Sequence, residues 1–465
     1  MTGIPVHHGG VILASGEHTS LMHGWIPVTV QAAAVLALVL AVAGRSRHRL
    51  LRLLLIGASG LATAACAYWF VADDGLSGQP PPTTLWVWIA LTGAAAALLV
   101  LGWRGAPWWR RGISVLAVPL CLTSAGLTLN SWVGYFPTVQ SAWGALTSGP
   151  LPDQSDMAAA NATAGSGTPP GHGQVLHVTI PSDASHFKHR GELVYLPPAW
   201  FTQRPPPALP AVMMIGGEFN TPADWLRSGG AIQTVDEFAA AHHGNAPVLV
   251  FVDSGGSFNN DTECVNGSRG NAADHLTEDV VPYVISHFGV SSEPSQWGVV
   301  GWSMGGTCAV DLTAMHPEKF SAFVDIAGDL GPNAGTRSQT VSRLFGGNLD
   351  AWAAFDPSMV IAKHGRYSGV SGWFAVNGSA IGSDPGGQFV AAKTLCTLGR
   401  AHGIDCAVVT EPGQHDWPFA GKVFADALPW LAARLSTPEV QAVPFPAASS
   451  EAGPAPARHV HPPSR

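Results

Sequence analysis

The chain has 465 residues, of which 46% are hydrophobic and only 12% are charged, and its formal net charge is −8. Its mean hydropathy of +0.20 is too high for an ordinary soluble protein and predicts a membrane part beside a globular part. The acidic balance and the lack of a basic patch interleaved with aromatic residues argue against nucleic acid as a partner.

Four apolar runs in the first third of the chain predict membrane-spanning helices. They cover residues 25–44, 53–72, 85–103 and 113–132, and each is close to the roughly 20 residues that a helix needs to cross a bilayer. The first run lacks a basic segment before it, which favours a retained helix over a cleaved signal peptide. No Asp, Glu, Lys or Arg lies within these runs, so we expect a membrane anchor rather than an ion pathway.

Arginines predict the orientation of the four helices. They are concentrated in two alternate loops, as Arg45, Arg47, Arg49 and Arg52 after the first run and as Arg104, Arg110 and Arg111 after the third. The positive-inside rule places both loops in the cytoplasm. Everything after Tyr135 is then expected outside the cell, so the predicted location is a multi-pass membrane protein with an extracytoplasmic domain.

Changes in composition divide the chain into four parts. We expect a membrane domain at 1–135, a flexible linker rich in Gly, Pro, Ala and Ser at 136–173, a folded domain at 174–435 and a disordered tail at 436–465. Within the folded domain, helical stretches such as 231–241 and 275–288 separate short apolar runs. Strands are predicted at 175–180, 191–196, 211–215, 248–252, 299–300, 322–326, 373–376 and 407–409. This alternation predicts an α/β fold with a mostly parallel sheet.

The stretch Gly301-Trp302-Ser303-Met304-Gly305-Gly306 stands between an apolar run and a helix-like stretch. Strand, G-x-S-x-G and helix in this order are typical of a nucleophile elbow, a sharp turn that exposes a serine hydroxyl. The pattern predicts Ser303 as a nucleophile. It also predicts the backbone N–H of Met304 as one of the donors that stabilise an oxyanion.

A serine hydroxyl needs a base near pH 7, and in this fold the acid and the histidine follow the serine along the chain. His415 comes after the strand at 407–409, at the edge of the sheet where active-site groups gather, and we predict it as the base. Asp384 follows the strand at 373–376 and is our choice for the acid, with Asp329 as the alternative.

The second oxyanion donor is expected in the loop after the strand at 211–215, which reads Gly216-Gly217-Glu218-Phe219. Glycines there allow the backbone to approach a substrate closely. The donor is the N–H of Glu218, or that of Gly217 if the register differs by one residue.

Four of the six cysteines lie in the folded domain, namely Cys264, Cys308, Cys396 and Cys406. Four cysteines allow three pairings. Proximity along the chain favours Cys396–Cys406, which leaves Cys264–Cys308 to brace the elbow helix, and an outward-facing domain favours disulfides over free thiols.

The folded domain resembles the esterase family that includes esterase D and the antigen 85 mycolyltransferases of actinobacteria. The resemblance covers about residues 175–435. It rests on the elbow stretch already quoted, on His316-Pro317-Glu318-Lys319-Phe320 and on Gly413-Gln414-His415-Asp416-Trp417.

The resemblance implies an α/β-hydrolase fold and ester cleavage or acyl transfer through an acyl-serine, with no metal or organic cofactor. We therefore expect a membrane-anchored serine esterase or acyltransferase that acts on a small-molecule or glycolipid ester of the cell envelope, with the lipid bilayer as a partner. The alternative is a non-catalytic envelope protein that retains the fold as a binding module.

Overall fold

The computed structural model describes residues 20–42, 49–74, 81–103, 106–147, 151, 154–165, 169–378 and 387–445. The first of its two halves is a unit of four antiparallel helices. They are α1 (Trp25–Val42), α2 (Arg49–Asp74), α3 (Thr83–Gly102) and α4 (Trp108–Val133). All four are long and apolar enough to cross a membrane, and the predicted four-helix segment is confirmed.

Hydrogen bonds link the two ends of this unit. The N–H of Leu21 donates to the carbonyl of Pro137 at 3.0 Å, and Ser20 pairs with Thr138 in an isolated β-bridge. The segment before α1 and the segment after α4 therefore lie side by side. This arrangement agrees with an even number of spans between them.

A short connection with secondary structure of its own follows α4. It contains α5 (Val139–Leu146), β1 (Gln154–Ser155) and α6 (Met157–Gly165), within the stretch 136–173 that the composition predicts as a flexible linker. Alanine has the highest helix propensity, and Ala160 and Ala164 of α6 are buried against the folded domain. This packing explains why an alanine-rich segment forms a helix here.

The second half is a layered α/β domain. In chain order it contains β2 (Gln174–Val178), β3 (Glu192–Leu196), β4 (Ala211–Ile215), α7 (Asp224–Arg227), α8 (Ala231–Ala241), β5 (Val248–Val252), β6 (Asn266–Gly267), β7 (Gly270–Asn271), α9 (Ala272–Asp274), a π-helical turn (His275–Val280), α10 (Val281–Phe288), β8 (Trp297–Trp302), α11 (Met304–Met315), β9 (Ala322–Ile326), α12 (Arg337–Phe345), α13 (Leu349–Ala353), α14 (Pro357–His364), β10 (Ser371–Asn377), α15 (Gln388–Ala401), β11 (Asp405–Glu411) and α16 (Trp417–Arg434).

Eight of these strands, together with β1 of the connection, form one sheet in the order β1-β2-β3-β5-β4-β8-β9-β10-β11. Strand β3 runs antiparallel to both of its neighbours, and the other pairs are parallel. Helices α7, α8 and α16 cover one face, while α10, α11 and α15 are among those that cover the other. This is the α/β-hydrolase fold, and the predicted fold class is confirmed.

Two disulfides join Cys264 to Cys308 and Cys396 to Cys406, the pairs that proximity along the chain favours. The first ties the loop before β6 to α11, the helix that follows the elbow. The second ties α15 to β11.

Beyond α16, residues 436–445 are described, and Phe445 packs on Trp430 of that helix with ring centroids 4.9 Å apart. The rest of the predicted tail, 446–465, lies outside the described residues.

The α/β domain, called the outer domain after its predicted location, contacts the four apolar helices at two places among the described residues. Gly134 and Tyr135, directly after α4, pack against it. Arg343 of α12 donates through Nη2 to the carbonyl oxygen of Ala72, near the end of α2, at 3.0 Å. Both contacts are at ends of helices that the arginine pattern predicts to face outward.

Candidate active site

Ser303 lies at a strained turn between β8 and α11. Its backbone has φ 58° and ψ −121°, a conformation that costs free energy for any residue with a side chain and that is characteristic of functional sites. A Cβ at Gly301 would lie 1.7 Å from the carbonyl oxygen of Gly305, and one at Gly305 would lie 2.4 Å from that of Ile215. Both positions therefore require glycine, as the motif predicts, and the turn holds the hydroxyl away from the backbone.

His415 meets this hydroxyl from the loop after β11. Its Nε2 lies 2.9 Å from Ser303 Oγ. Burial lowers the pKa of His415 from 6.5 to about 4, because a dry environment disfavours the imidazolium. The ring is therefore neutral near pH 7, and a neutral imidazole can accept a proton from the hydroxyl that it contacts.

The acid of a catalytic triad would have to lie next to Nδ1, the second ring nitrogen of His415. His415 Nδ1 lies 3.4 Å from Nε2 of Gln388, the first residue of α15. The start of α15 therefore lies next to the histidine. Asp384 belongs to residues 379–386, between β10 and α15, which lie outside the described residues.

The alternative acids have other contacts. Asp329 lines the same pocket as Ser303, and its Oδ2 accepts a hydrogen bond from Asn333 Nδ2 at 3.0 Å. Asp416, next to the histidine in sequence, accepts a hydrogen bond from the N–H of Phe419 at 3.0 Å and so caps α16. A carboxylate that caps a helix in this way stabilises the first turn of the helix. It does not orient an imidazole ring.

Both predicted oxyanion donors border the pocket. Met304 follows the nucleophile at the start of α11, and Glu218 comes from the loop after β4. A Cβ at Gly217 would lie 3.2 Å from that of Ser303, so this loop approaches the nucleophile closely. An oxyanion hole requires the N–H groups of both residues to point at the substrate's carbonyl oxygen, and the two donors stay a prediction.

A group of acidic residues beside the pocket was not expected from the sequence. Glu263 is buried, and the pKa of its carboxyl is raised well above its ordinary value by burial and by Asp261, Asp329 and Glu218. Burial raises the pKa of Asp261 to about 6. The raised pKa of Glu263 favours its protonated, uncharged form, which limits the negative charge on this side of the pocket.

The membrane helices also reach the pocket. Trp132 and Val133, the last two residues of α4, line it together with Ser303 and His415. From the sequence, Trp132 is only the last residue of the fourth apolar run, since no local pattern indicates a contact with residues so distant in the chain.

A second polar cluster lies inside the domain. His189, Glu192 and His275 bring their side-chain donor atoms within 4.8 Å of one another, close enough for a metal ion. His275, however, bonds to Glu192 at 3.0 Å and to Asp279 at 3.3 Å. Burial disfavours its charge, but these two carboxylates outweigh burial and raise its pKa. We interpret the cluster as an ion-paired brace between β3 and the π-helical turn.

Comparison with protein families agrees with this geometry. The family model for esterases, described as putative esterase, matches residues 188–427, slightly more than half of the chain. That range contains the strained serine and its histidine.

Two curated proteins are similar to this chain. An uncharacterized protein of Corynebacterium glutamicum is 33% identical over 262 residues, which are 55% of this chain and 60% of that protein. A diacylglycerol acyltransferase/mycolyltransferase, Ag85A of Mycobacterium ulcerans, is 32% identical over 133 residues, 26% of this chain and 38% of that protein. The chain thus spans less than two thirds of either relative.

Among solved structures, an S-formylglutathione hydrolase from Agrobacterium tumefaciens has a TM-score of 0.48 and 17% identity to this chain. The match covers 57% of this chain and 97% of that one.

Proposed function

The chain belongs to the esterase family, and from that premise we propose that it is a membrane-anchored serine esterase or acyltransferase whose catalytic domain lies outside the cell. It acts on esters of the cell envelope through an acyl-serine intermediate. The observation that carries this proposal is the 2.9 Å contact between Ser303 Oγ and His415 Nε2 at a strained turn. Four apolar helices and two disulfides support the assigned location.

The proposed reaction has two steps. Ser303 Oγ bonds to the carbonyl carbon of the ester while His415 takes the serine proton. The N–H groups of Glu218 and Met304 stabilise the oxyanion, and the C–O bond to the alcohol breaks as His415 returns the proton to that leaving oxygen. Water or an acceptor hydroxyl then attacks the acyl-serine while His415 takes its proton. The C–O bond to Ser303 breaks as His415 returns the proton to Oγ, and an acid or a new ester is released.

In this mechanism Asp384 orients His415 and stabilises its charged form. The 3.4 Å contact between His415 Nδ1 and Gln388 supports this role, because Asp384 precedes Gln388 by only four positions in the sequence.

A fluorophosphonate probe tests the proposal directly, since it labels a serine only when a base activates it. We expect the full-length protein to be labelled and Ser303→Ala to remain unlabelled. Ser338→Ala, at an exposed serine of α12, is the matched control and should label like the wild type. Absence of labelling in the wild type would contradict the proposal and favour the non-catalytic binding module.

Hydrolysis and transfer are separated by adding an acceptor. The wild type is given a short p-nitrophenyl ester with and without trehalose, and the acid and the acylated sugar are both quantified. A transferase forms the sugar ester at the expense of the acid, whereas an esterase forms the acid in both reactions.

A further inference from the structure

The end of the fourth membrane helix forms part of the pocket that contains the nucleophile. Trp132 and Val133 line this pocket together with Phe219, Trp302 and Ser303. The first four of these residues are apolar, whereas the other lining residues, among them Glu218 and Asp329, are mostly polar. An apolar wall next to a reactive serine suits the hydrocarbon part of an ester rather than its polar part.

The helix is held firmly at this position. Gly134 ends α4 in a left-handed conformation, with φ 67°, and its N–H donates to the carbonyl of Asn130 at 2.7 Å. The side chain of Asn130 then bonds twice to the backbone of Phe136, at 2.9 and 2.7 Å. The turn after Trp132 and Val133 is therefore fixed by its own hydrogen bonds.

The same turn is packed against the catalytic domain. The hydroxyl of Tyr135 is hydrogen-bonded to the side chain of Asp224, and its carbonyl accepts a hydrogen bond from Ser228 Oγ at 2.9 Å. A Cβ at Gly134 would lie 2.3 Å from that of Asp416, the residue after His415. The end of α4 is thus part of the same packed region as the catalytic histidine.

The length of α4 indicates how deep in the bilayer this wall lies. The helix has 26 residues, which corresponds to about 39 Å at 1.5 Å per residue, more than the ~30 Å hydrocarbon core. Trp108 and Trp109 begin it and Trp132 is next to its end, and tryptophans of this kind mark the two membrane interfaces. The pocket therefore lies at the level of the bilayer surface, where the ester groups of lipids are found.

We propose that Trp132 and Val133 are specificity-determining residues of the active site, and that the substrate is a long-chain acyl ester that stays in the membrane during the reaction. The acyl chain lies along the end of α4, and the carbonyl carbon meets Ser303 at the interface. The carboxyl groups of Glu218 and Asp329 beside the pocket favour an uncharged or cationic head group over a phosphate. This inference rests on the proposed esterase or acyltransferase function.

The test uses the full-length protein in mixed detergent–phospholipid micelles with p-nitrophenyl butyrate and p-nitrophenyl palmitate. The readout is the ratio of kcat/KM for palmitate to kcat/KM for butyrate. We expect Trp132→Ala to lower this ratio about tenfold or more, since the long chain loses an apolar wall, and Trp132→Phe to retain most of it. Trp143→Ala is the matched control, because Trp143 is 69% exposed in α5 and does not line the pocket.

A second variant, Val133→Trp, places a larger side chain in the same wall and should also lower the ratio, so the test does not depend on the folding of Trp132→Ala alone. Fluorophosphonate labelling identifies the variants that are folded. If a folded Trp132→Ala or Val133→Trp protein keeps a ratio within about twofold of the wild type, the inference is overturned. A wild type that cleaves neither ester contradicts the proposed function itself, and the inference fails with it.

Discussion

In the membrane helices the buried residues are mostly small and the exposed ones large, whereas the outer domain buries its largest side chains. Ala34, Ala95 and Ala117 are fully buried between the four helices, while Leu61 and Val100 are 72% and 74% exposed. In the outer domain the most buried large residues are aromatic, among them Trp225, Trp297 and Trp417.

The difference follows from the two solvents. Lipid is as apolar as leucine, so membrane helices associate through close packing of small residues. Water drives large apolar side chains into a core. The two halves should therefore be sensitive to different substitutions, and only the outer one should carry the chemistry.

The largest effect is expected in the outer domain, at the triad acid. We predict that Asp384→Asn lowers kcat about 10⁴-fold, because an amide cannot hold the required tautomer of His415 or stabilise its charged form. Asp329→Asn should retain most of the activity. Steady-state kinetics on a short p-nitrophenyl ester decide between them, and a larger loss in Asp329→Asn would assign the acid to the loop after β9.

Cysteines make the second contrast, since those of the outer domain are paired and Cys66 and Cys121 of the membrane helices are free. The Cys264–Cys308 bond closes a separation of 44 residues and Cys396–Cys406 one of 10. Loop entropy predicts that serine replacement of the pairs lowers the free energy of unfolding by roughly 4 and roughly 3 kcal/mol, respectively. Urea unfolding measures both. Cys66→Ala should leave the free energy of unfolding unchanged. Equal losses of this free energy from all three changes would contradict the difference between the paired and the free cysteines.

In the membrane half, the sensitive position is a small residue between helices. A Cβ at Gly93 of α3 would lie 2.1 Å from Oγ1 of Thr63 in α2. Gly93→Leu should therefore separate the two helices and destabilise them by about 1–3 kcal/mol. Thermal unfolding in detergent measures the loss. Val100→Leu, on the exposed side of the same helix, is the control, and similar midpoints for the two variants would show that α2 and α3 do not pack closely.

The pH dependence of activity tests the dry environment of the histidine. His415 acts as a base only when neutral, so activity falls as the pH drops through its pKa. Burial holds that pKa near 4, and the acid limb of kcat/KM should lie clearly below the ordinary value of 6.5. A half-maximal point at or above 6.5 in the pH–rate profile would mean that the proposed partner Asp384 stabilises the charged ring more strongly than burial disfavours it.

The smallest effect concerns the buried acid beside the pocket. The pKa of Glu263 is raised well above 4.5 in the folded state, so its contribution to stability is present below pH 4.5 and is lost as the pH rises towards the folded pKa. Glu263→Gln removes this loss, and we expect the variant to be as stable as the wild type at pH 4 and up to about 1 kcal/mol more stable at pH 7. Urea unfolding at the two pH values checks this. A less stable variant at pH 7 would show that Glu263 is ionised and paired.

Much of the fold is predictable because its signals are local. The strands at 211–215, 248–252 and 322–326 are predicted with the bounds that the structure has, since each is a continuous apolar run between turns. The elbow and the membrane helices are predictable for the same reason: glycine spacing and apolar length are read directly from adjacent residues.

The features that the sequence does not predict depend on contacts between distant residues. Nothing near Trp132 indicates that it borders the same pocket as Ser303, and the acidic group around Glu263 forms only when three loops meet. Asp384 is the intermediate case. Strand order favours it over Asp329, but the choice depends on the position of one side chain relative to His415.

The bond from Arg343 to the carbonyl of Ala72 makes a second attachment besides the turn at Gly134 and Tyr135. A domain that is attached to helices at one point can rotate in any direction, whereas a domain attached at two points can rotate only about the line between them. Rotation of the catalytic domain relative to the helices is therefore restricted. The pocket is thus held in one orientation relative to the ends of α2 and α4.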